Sequence, residues 1–248
     1  MELADMLSLK RPSLYPELWL DQVRRWLPDD ASPFMDAADR VMAFAVTVGN
    51  AGDTLYCCHL DTVHASAGCQ AVVAGEFPDS LVTTDGECLG ADDGAGVWLL
   101  LEMVAAKVPG TYLFHLGEEI GCLGSRWMVE YQASWLRQVR RAVRFDRPGT
   151  SDVITHFGGQ RGCSDDFARN CCDALSVRLQ PYVLKPYQRG GSTDVRHYIG
   201  LIPECTNIST GYFCQHGSQE WLDVRYIKAM RDAMIAVGKV GDAWPMAA

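Results

Sequence analysis

One histidine and five carboxylates set the terms on which this chain can fold. They stand in three short runs, Cys58-His59-Leu60-Asp61-Thr62-Val63, Gly90-Ala91-Asp92-Asp93-Gly94-Ala95-Gly96 and Gly117-Glu118-Glu119-Ile120-Gly121. Each run lies at the edge of an apolar segment. If His59, Asp61, Asp92, Asp93, Glu118 and Glu119 converge, the carboxylates repel one another unless a cation stands among them. A core helix or a strand end has no use for so much negative charge. A pair of divalent metal ions does.

The hydropathy pattern says where the runs fall. Residues 41–48 and 54–58 read as two strands joined by a turn at Asn50-Ala51-Gly52-Asp53, a hairpin that ends at His59. Residues 92–107 form the clearest helix, with Val97, Leu100, Leu101 and Val104 on one face and Pro109-Gly110 beyond its end. Asp92 and Asp93 fall in its first turn, where carboxylates suit the exposed amides and the helix dipole. An apolar strand over 111–116 runs into Glu118, a helix follows over 124–139, and a short strand over 142–145 stops at Asp146. This alternation predicts an α/β fold with a mostly parallel central sheet and helices on both faces. Ligand sites in such sheets lie beyond the carboxyl ends of the strands, and the three runs fall there.

The remaining segments carry weaker signals. Residues 18–27 read as an amphipathic helix stopped by Pro28, and 65–90 as a long turn-rich connection at the rim of the site. Residues 164–175 are helical and 177–184 extended. Gly190-Gly191-Ser192-Thr193-Asp194 is a tight loop, 206–210 a buried strand and 222–237 a closing amphipathic helix.

Composition narrows the partners. With 248 residues and 48% apolar content, the chain can bury a substantial core, expected as a single domain over 1–248. A net charge of −9 argues against nucleic acid or an anionic membrane as partner. No stretch approaches the roughly 20 apolar residues of a membrane span, and Met1-Glu2-Leu3-Ala4-Asp5 lacks the basic start of a signal peptide. The ten cysteines form no C-x-x-C pair and read as small buried hydrophobes in a reducing, cytoplasmic setting.

Taken singly, each run has a plain structural reading. His59 and Asp61 point the same way in an extended segment, which lets Asp61 steady the ring while a nitrogen meets a metal, but such triplets are common. Asp92-Asp93 is also an ordinary helix cap. Glu118-Glu119 is either a solvated turn or a division of labour, one carboxylate on a metal and its neighbour taking a proton from water. Three such runs at equivalent places in successive strand–helix units favour the metal.

At this point the residues resemble a family. The three runs, with Gly124-Ser125 after the third, look like the motifs of the co-catalytic di-zinc exopeptidases, a superfamily that holds peptidase T, carboxypeptidase G-type amidohydrolases and single-domain leucyl aminopeptidases. Arg189-Gly190-Gly191-Ser192-Thr193-Asp194, Gly200-Leu201-Ile202-Pro203, Asn207, Gly211 and His216-Gly217 with Glu220 resemble the tail of peptidase T. The resemblance implies that Asp92 bridges two zinc ions, with His59 and Asp146 completing one site and Glu119 and His216 the other. Manganese or cobalt would suit the same donors. It further implies Glu118 as general base, Asp61 as the group orienting His59, and Asp93 as support behind the ligands. Asp152 is an alternative to Asp146, and an ion pair of Asp146 with Arg140, Arg141 or Arg144 is its structural reading. That basic run otherwise reads as a solvated helix face.

Two departures stand out. Peptidase T and the carboxypeptidase G-type enzymes insert a lid and dimerisation domain between the fourth ligand and the Gly-Gly loop, and the interval from Asp146 to Gly190 is too short for one. The expectation is a lidless three-layer α/β/α domain. The single-domain aminopeptidases often carry Tyr just before the last histidine, where this chain has Gln215, so Gln215 or Tyr212 becomes the candidate oxyanion donor. At the substrate, Asp194 is expected to hold an α-amine and Arg189, Arg196 or His197 a carboxylate. The resemblance therefore implies an aminopeptidase or small-peptide exopeptidase, monomeric or homo-oligomeric. The alternatives are a deacylase of N-acyl amino acids or carboxypeptidase-type amidohydrolase, and an inactive metal-binding homologue, against which the retained Glu118 counts. Glutaminyl cyclase shares the scaffold but is usually secreted.

Overall fold

Eight strands make the central sheet of the computed structural model, which describes residues 2–50 and 53–239. In chain order they are β1 (Ser32–Met35), β2 (Val41–Val48), β3 (Thr54–His59), β4 (Gly110–His115), β5 (Arg141–Arg147), β6 (Asp152–Ile154), β7 (Lys185–Tyr187) and β8 (Glu204–Ser209). Their order across the sheet is β7-β6-β8-β5-β3-β4-β2-β1. The pairs β7–β6, β8–β5, β5–β3 and β3–β4 are parallel, and the other three antiparallel. Every residue of β3 and β4 is buried, which is why both read as unbroken apolar runs: a central parallel strand is covered on both faces.

Helices cover the two faces, giving the expected three layers. On one side α1 (Leu3–Leu7), α2 (Leu20–Arg24), α3 (Ala91–Ala105), α6 (Asp165–Ser176) and α7 (Val224–Lys239) share a core with Tyr56, Tyr112, Val143 and Ile208 of the sheet. On the other, α4 (Leu123–Tyr131), α5 (Ala133–Leu136) and a 3-10 turn at Asp194–Tyr198 pack on Leu55, Cys57, Leu113 and Cys205. A second sheet of four short strands, Val72–Ala74, Ser80–Thr83, Tyr212–Phe213 and Trp221–Asp223, gives the 65–90 connection its own structure. The interval between Asp146 and Gly190 holds no separate lid. Its strands β6 and β7 extend the main sheet, and α6 packs in the main core.

Four expectations are corrected. Residues 41–48 and 54–58 do not form a hairpin, because β4 lies between β2 and β3 and pairs with both; two residues of the expected turn, Ala51 and Gly52, lie outside the described residues. The wholly apolar β4 belongs at the centre, while β2, half exposed along its length, suits an outer place. The helix over 124–139 breaks at Gln132 into α4 and α5. Residues 177–184 turn rather than extend, with Leu175 accepting from Leu179 N and Leu179 from Tyr182 N, and Pro181 has no N–H to give a ladder. Arg141 and Arg144 lie buried in β5 instead of on a solvated helix.

Helix α3 carries the central run. Asp92 and Asp93 lie within its bounds but have non-helical backbone angles, so regular helix starts after them. Asp93 caps that regular part, its Oδ1 accepting from Gly96 N at 3.1 Å. A methyl group on Gly96 would overlap the Phe145 carbonyl oxygen and Asp93 Oδ1, so helix and β5 touch here through a residue with no side chain. Gly96→Ala should lower the unfolding free energy by about 1–3 kcal/mol by overpacking, although alanine is the better helix former. Urea melts of the two proteins test this, and equal midpoints would contradict the packing.

Candidate metal centre

The site is built at the carboxyl ends of β3, β4, β5 and β8, and carboxylates that grip main-chain amides shape its corners. His59 ends β3. Its Nδ1 lies 2.8 Å from the carbonyl of Asp61, which only accepts, so Nδ1 carries the proton and Nε2 is free to bind. Asp61 therefore orients His59 mainly through its backbone. Its carboxylate, 3.6 Å from Nδ1, is turned to the third run and accepts from the amides of Gly117 (2.9 Å), Glu118 (3.2 Å) and Glu119 (3.3 Å). Gly117 makes that turn with φ +73°, a conformation costly for any residue with a side chain.

Asp93 and Glu220 do the same elsewhere. Asp93 Oδ2 accepts from His59 N at 3.1 Å. Glu220, buried, accepts from Asp92 N (2.9 Å) and Gly90 N (3.0 Å) with its two oxygens. Asn207 of β8 clamps the backbone of Asp146 from both sides, accepting from its N at 2.9 Å and donating to its carbonyl at 2.6 Å. Arg11, fully buried, donates to the carbonyls of Met6, Leu9, Leu60 and Gly90, tying the N-terminal segment to two of the runs.

The side chains so fixed converge. His59 Nε2 is 3.2 Å from Asp92 Oδ1 and 3.7 Å from Asp146 Oδ1. His216 Nε2 is 3.2 Å from Asp92 Oδ2 and 3.1 Å from Glu119 Oε1. Asp92 thus turns one oxygen to each of two groups, His59-Asp92-Asp146 and Asp92-Glu119-His216, and within each the donor atoms all lie within 4.8 Å of one another. A third grouping, His59-Glu118-Glu119, sets Glu118 in the same space. Glu119 Oε1 is buried, and apart from His216 Nε2 at 3.1 Å no donor reaches it. Imidazole nitrogens and carboxylate oxygens converging around that buried oxygen fit zinc or a similar divalent ion.

The charges are as crowded as the distances suggest. Burial, then the nearby Asp146 and Asp194, pushes Glu118 up to about 8. Burial and Asp92 raise Asp146 to about 7 despite Arg144. Asp92 is held well below the usual range by His216 and His59, which outweigh its burial. His216 is raised to about 10 by its bonds to Asp92 and Glu119. Without a cation, protons fill part of that role.

Beneath the ligands lies a layer absent from the expectations. Asp146 Oδ2 receives Arg144 Nε (2.9 Å), Arg144 Nη2 (2.8 Å) and Thr193 Oγ1 (2.9 Å), while Tyr212 donates to Oδ1 at 3.1 Å. Asp146 is therefore both ion-paired and part of the centre, and Asp152 is elsewhere, bonded to Arg147. Asp194, expected at a substrate amine, is fully buried under Arg144 Nη1 (2.6 Å) and 3.2 Å from His115 Nδ1, with no surface left for a ligand. Tyr212 is 1% exposed and spends its hydroxyl on Asp146, so it steadies that carboxylate. Arg189 is exposed and outside the cleft. Gln215 does line it, beside His216. The cleft, of about 160 Å³, also takes in Arg147, Ile154 and the Gly190–Thr193 loop. Arg147 was missed because a bulge places it there: Phe145 pairs with Ile208 and Arg147 with Ser209, so Asp146 has no partner in register.

Comparison with known proteins gives a family and a fold. The model of peptidase family M28 matches residues 44–201. No curated protein matches the chain significantly. Among solved structures, the aminopeptidase PepT of Bacillus cereus superimposes with a TM-score of 0.74 at 13% identity, covering 97% of this chain and 96% of that one. A tripeptidase of Staphylococcus aureus gives 0.71 at 12% identity, with 96% of each chain covered. The TET1 peptidase of Pyrococcus horikoshii gives 0.67 at 12% identity, covering 96% of this chain and 99% of that one. At these identities the likeness is one of fold.

Two outcomes are expected. Removing the Arg144 guanidinium leaves Asp146 and Asp194 buried without their cation, so Arg144→Met should cost about 3–5 kcal/mol in urea unfolding, with part recovered by adding Asp194→Asn. Glu118, Asp146 and His216 all hold protons to higher pH folded than unfolded, so metal-free protein should lose stability as pH rises from about 6.5 to about 9. His64 and His115, held near about 4 by burial, act in the opposite sense only below that window. Melting temperatures across the range, with and without zinc, test the sign; a rise with pH in metal-free protein would refute it.

Proposed function

Because the chain belongs to peptidase family M28, we propose that it hydrolyses peptide bonds in short peptides with two bound zinc ions, as an aminopeptidase or small-peptide exopeptidase. The observation that carries the reading is the division of Asp92, one oxygen toward His59 and Asp146, the other toward Glu119 and His216. In this reading those five residues hold the ions. Bound there, the metals acidify a water and polarise the scissile carbonyl.

The chain's own groups do the rest. Glu118 takes the proton from the attacking water and returns it to the leaving amine. Its position follows from Asp61, which fixes the Glu118 amide and leaves the carboxylate to face the ligands. Its carboxyl, raised by burial to about 8 in the metal-free centre, moves back toward the ordinary carboxylate range once cations stand beside it, which leaves it ionised to take that proton. In this reading Gln215, which lines the cleft beside His216, donates to oxygen as charge develops on it. We also read the chain as one catalytic domain over 1–248, monomeric or homo-oligomeric. The ten free cysteines, eight of them buried, support a reducing cytoplasm. Among the described residues no helix is long and apolar enough to cross a membrane.

The test is direct. Protein stripped with a chelator and reloaded should bind about two zinc ions per chain and cleave dipeptides with a free amine in preference to N-acylated ones. Glu118→Gln should still bind metal but lose about 10²–10⁴ in kcat. Undiminished turnover by the variant would remove Glu118 from the mechanism. A preference for N-acylated substrates would make the chain a deacylase.

A further inference from the structure

The cations expected to meet a substrate carboxylate do not line the cleft; a different one does. Among the described lining residues, the acids Asp92, Glu118, Glu119 and Asp146 are accompanied by two basic side chains. One is His216, itself a candidate ligand. The other is Arg147. Its Nε and Nη2 both donate to Asp152 Oδ2, at 3.0 and 2.9 Å, and its guanidinium lies over the Tyr187 ring, 5.5 Å from the centroid. The side chain keeps 23% of its surface exposed.

That arrangement leaves capacity. A guanidinium carries five N–H donors in a rigid fork, and two of them meet a single oxygen of Asp152. Tyr187 and Asp152 hold the plane in place, so a second carboxylate binds with little further loss of side-chain freedom. The bulge in β5 brings Arg147 into the same cleft as Asp146, and neighbouring Cα atoms are only about 3.8 Å apart. A substrate chain held at the ligands therefore shares its cleft with the Arg147 cation, and Gly190 and Gly191 line that cleft without side chains.

We propose that Arg147 binds the free C-terminal carboxylate of the substrate and so selects peptides short enough to bring that carboxylate into the cleft. The inference rests on the peptidase reading above. A longer peptide has no charge at that depth, and a C-terminal amide offers the guanidinium only a neutral acceptor in place of a charge-assisted fork.

Four ligands separate the possibilities: a dipeptide with a free carboxylate, its C-terminal amide, and the same pair with the scissile amide N-methylated so that it cannot be cleaved. Zinc-loaded wild type should favour acid over amide at least tenfold in kcat/KM, and bind the uncleavable acid at least tenfold more tightly by calorimetry. In Arg147→Met both ratios should fall to near one, and in Arg147→Lys to an intermediate value. If Arg147→Met unfolds because Asp152 has lost its partner, the double variant Arg147→Met/Asp152→Asn gives the same readout. Equal binding of acid and amide by wild type overturns the anchor, and so does a ratio unchanged in the variants. No turnover by wild type, with the binding preference intact, would instead overturn the peptidase reading and leave Arg147 as a carboxylate site.

Discussion

The centre depends on carboxylates that hold main chain before any carboxylate holds a metal. Asp61, Asp93 and Glu220 are absent from the two ligand groups, yet each fixes a corner on which a ligand stands: Asp61 the Gly117–Glu119 turn, Asp93 the end of β3, Glu220 the Gly90–Asp92 entry to α3. Amides facing a carboxylate repay part of the cost of burying it. They also spend its lone pairs, so these three acids are removed from competition for a cation. His59, Asp61, Asp92, Asp93, Glu118 and Glu119 thus divide into those that bind backbone and those left to bind something else.

Asp146 does both kinds of work within one side chain. Oδ2 is covered by Arg144 and Thr193, and Oδ1 faces His59. Behind it, Arg144 leads to Asp194 and on to the imidazole of His115, a buried layer in which one cation stands between two carboxylates. Burial with partners on every side makes such a layer costly to disturb, and it fixes the orientation of the carboxylate above it.

Much of this was legible in the sequence because it is local. The strand–helix alternation and its residue order predict the layers, and the position of each acidic run at a strand end predicts convergence. The unread parts are set by pairing between distant segments. Nothing near 111–116 says that β4 will slip between β2 and β3; that follows from how completely its neighbours bury it. Arg144 reads as one of three surface arginines until β8 and the 3-10 turn enclose it. Asp194, expected in the cleft, withdraws beneath it, while Arg147, for which the sequence suggests no role, enters the cleft beside a bulge. Asn207 and Glu220 were visible only as part of a family pattern, and their bonds to Asp146 and Asp92 supply the physical reason.

The Glu220 bonds span 128 and 130 positions of chain to reach Asp92 and Gly90. During synthesis, therefore, Asp92 leaves the ribosome long before the residue that sets its backbone. A growing chain that has completed β8 has the corners set by Asp61 and Asp93 but still lacks His216 and Glu220, so the entry to α3 that carries Asp92 is not yet fixed. The mutual repulsion of those acids favours their staying apart until His216 and Glu220 have arrived. Order of emergence thus delays the assembly of a metal-binding surface until nearly all of the fold that must contain it exists.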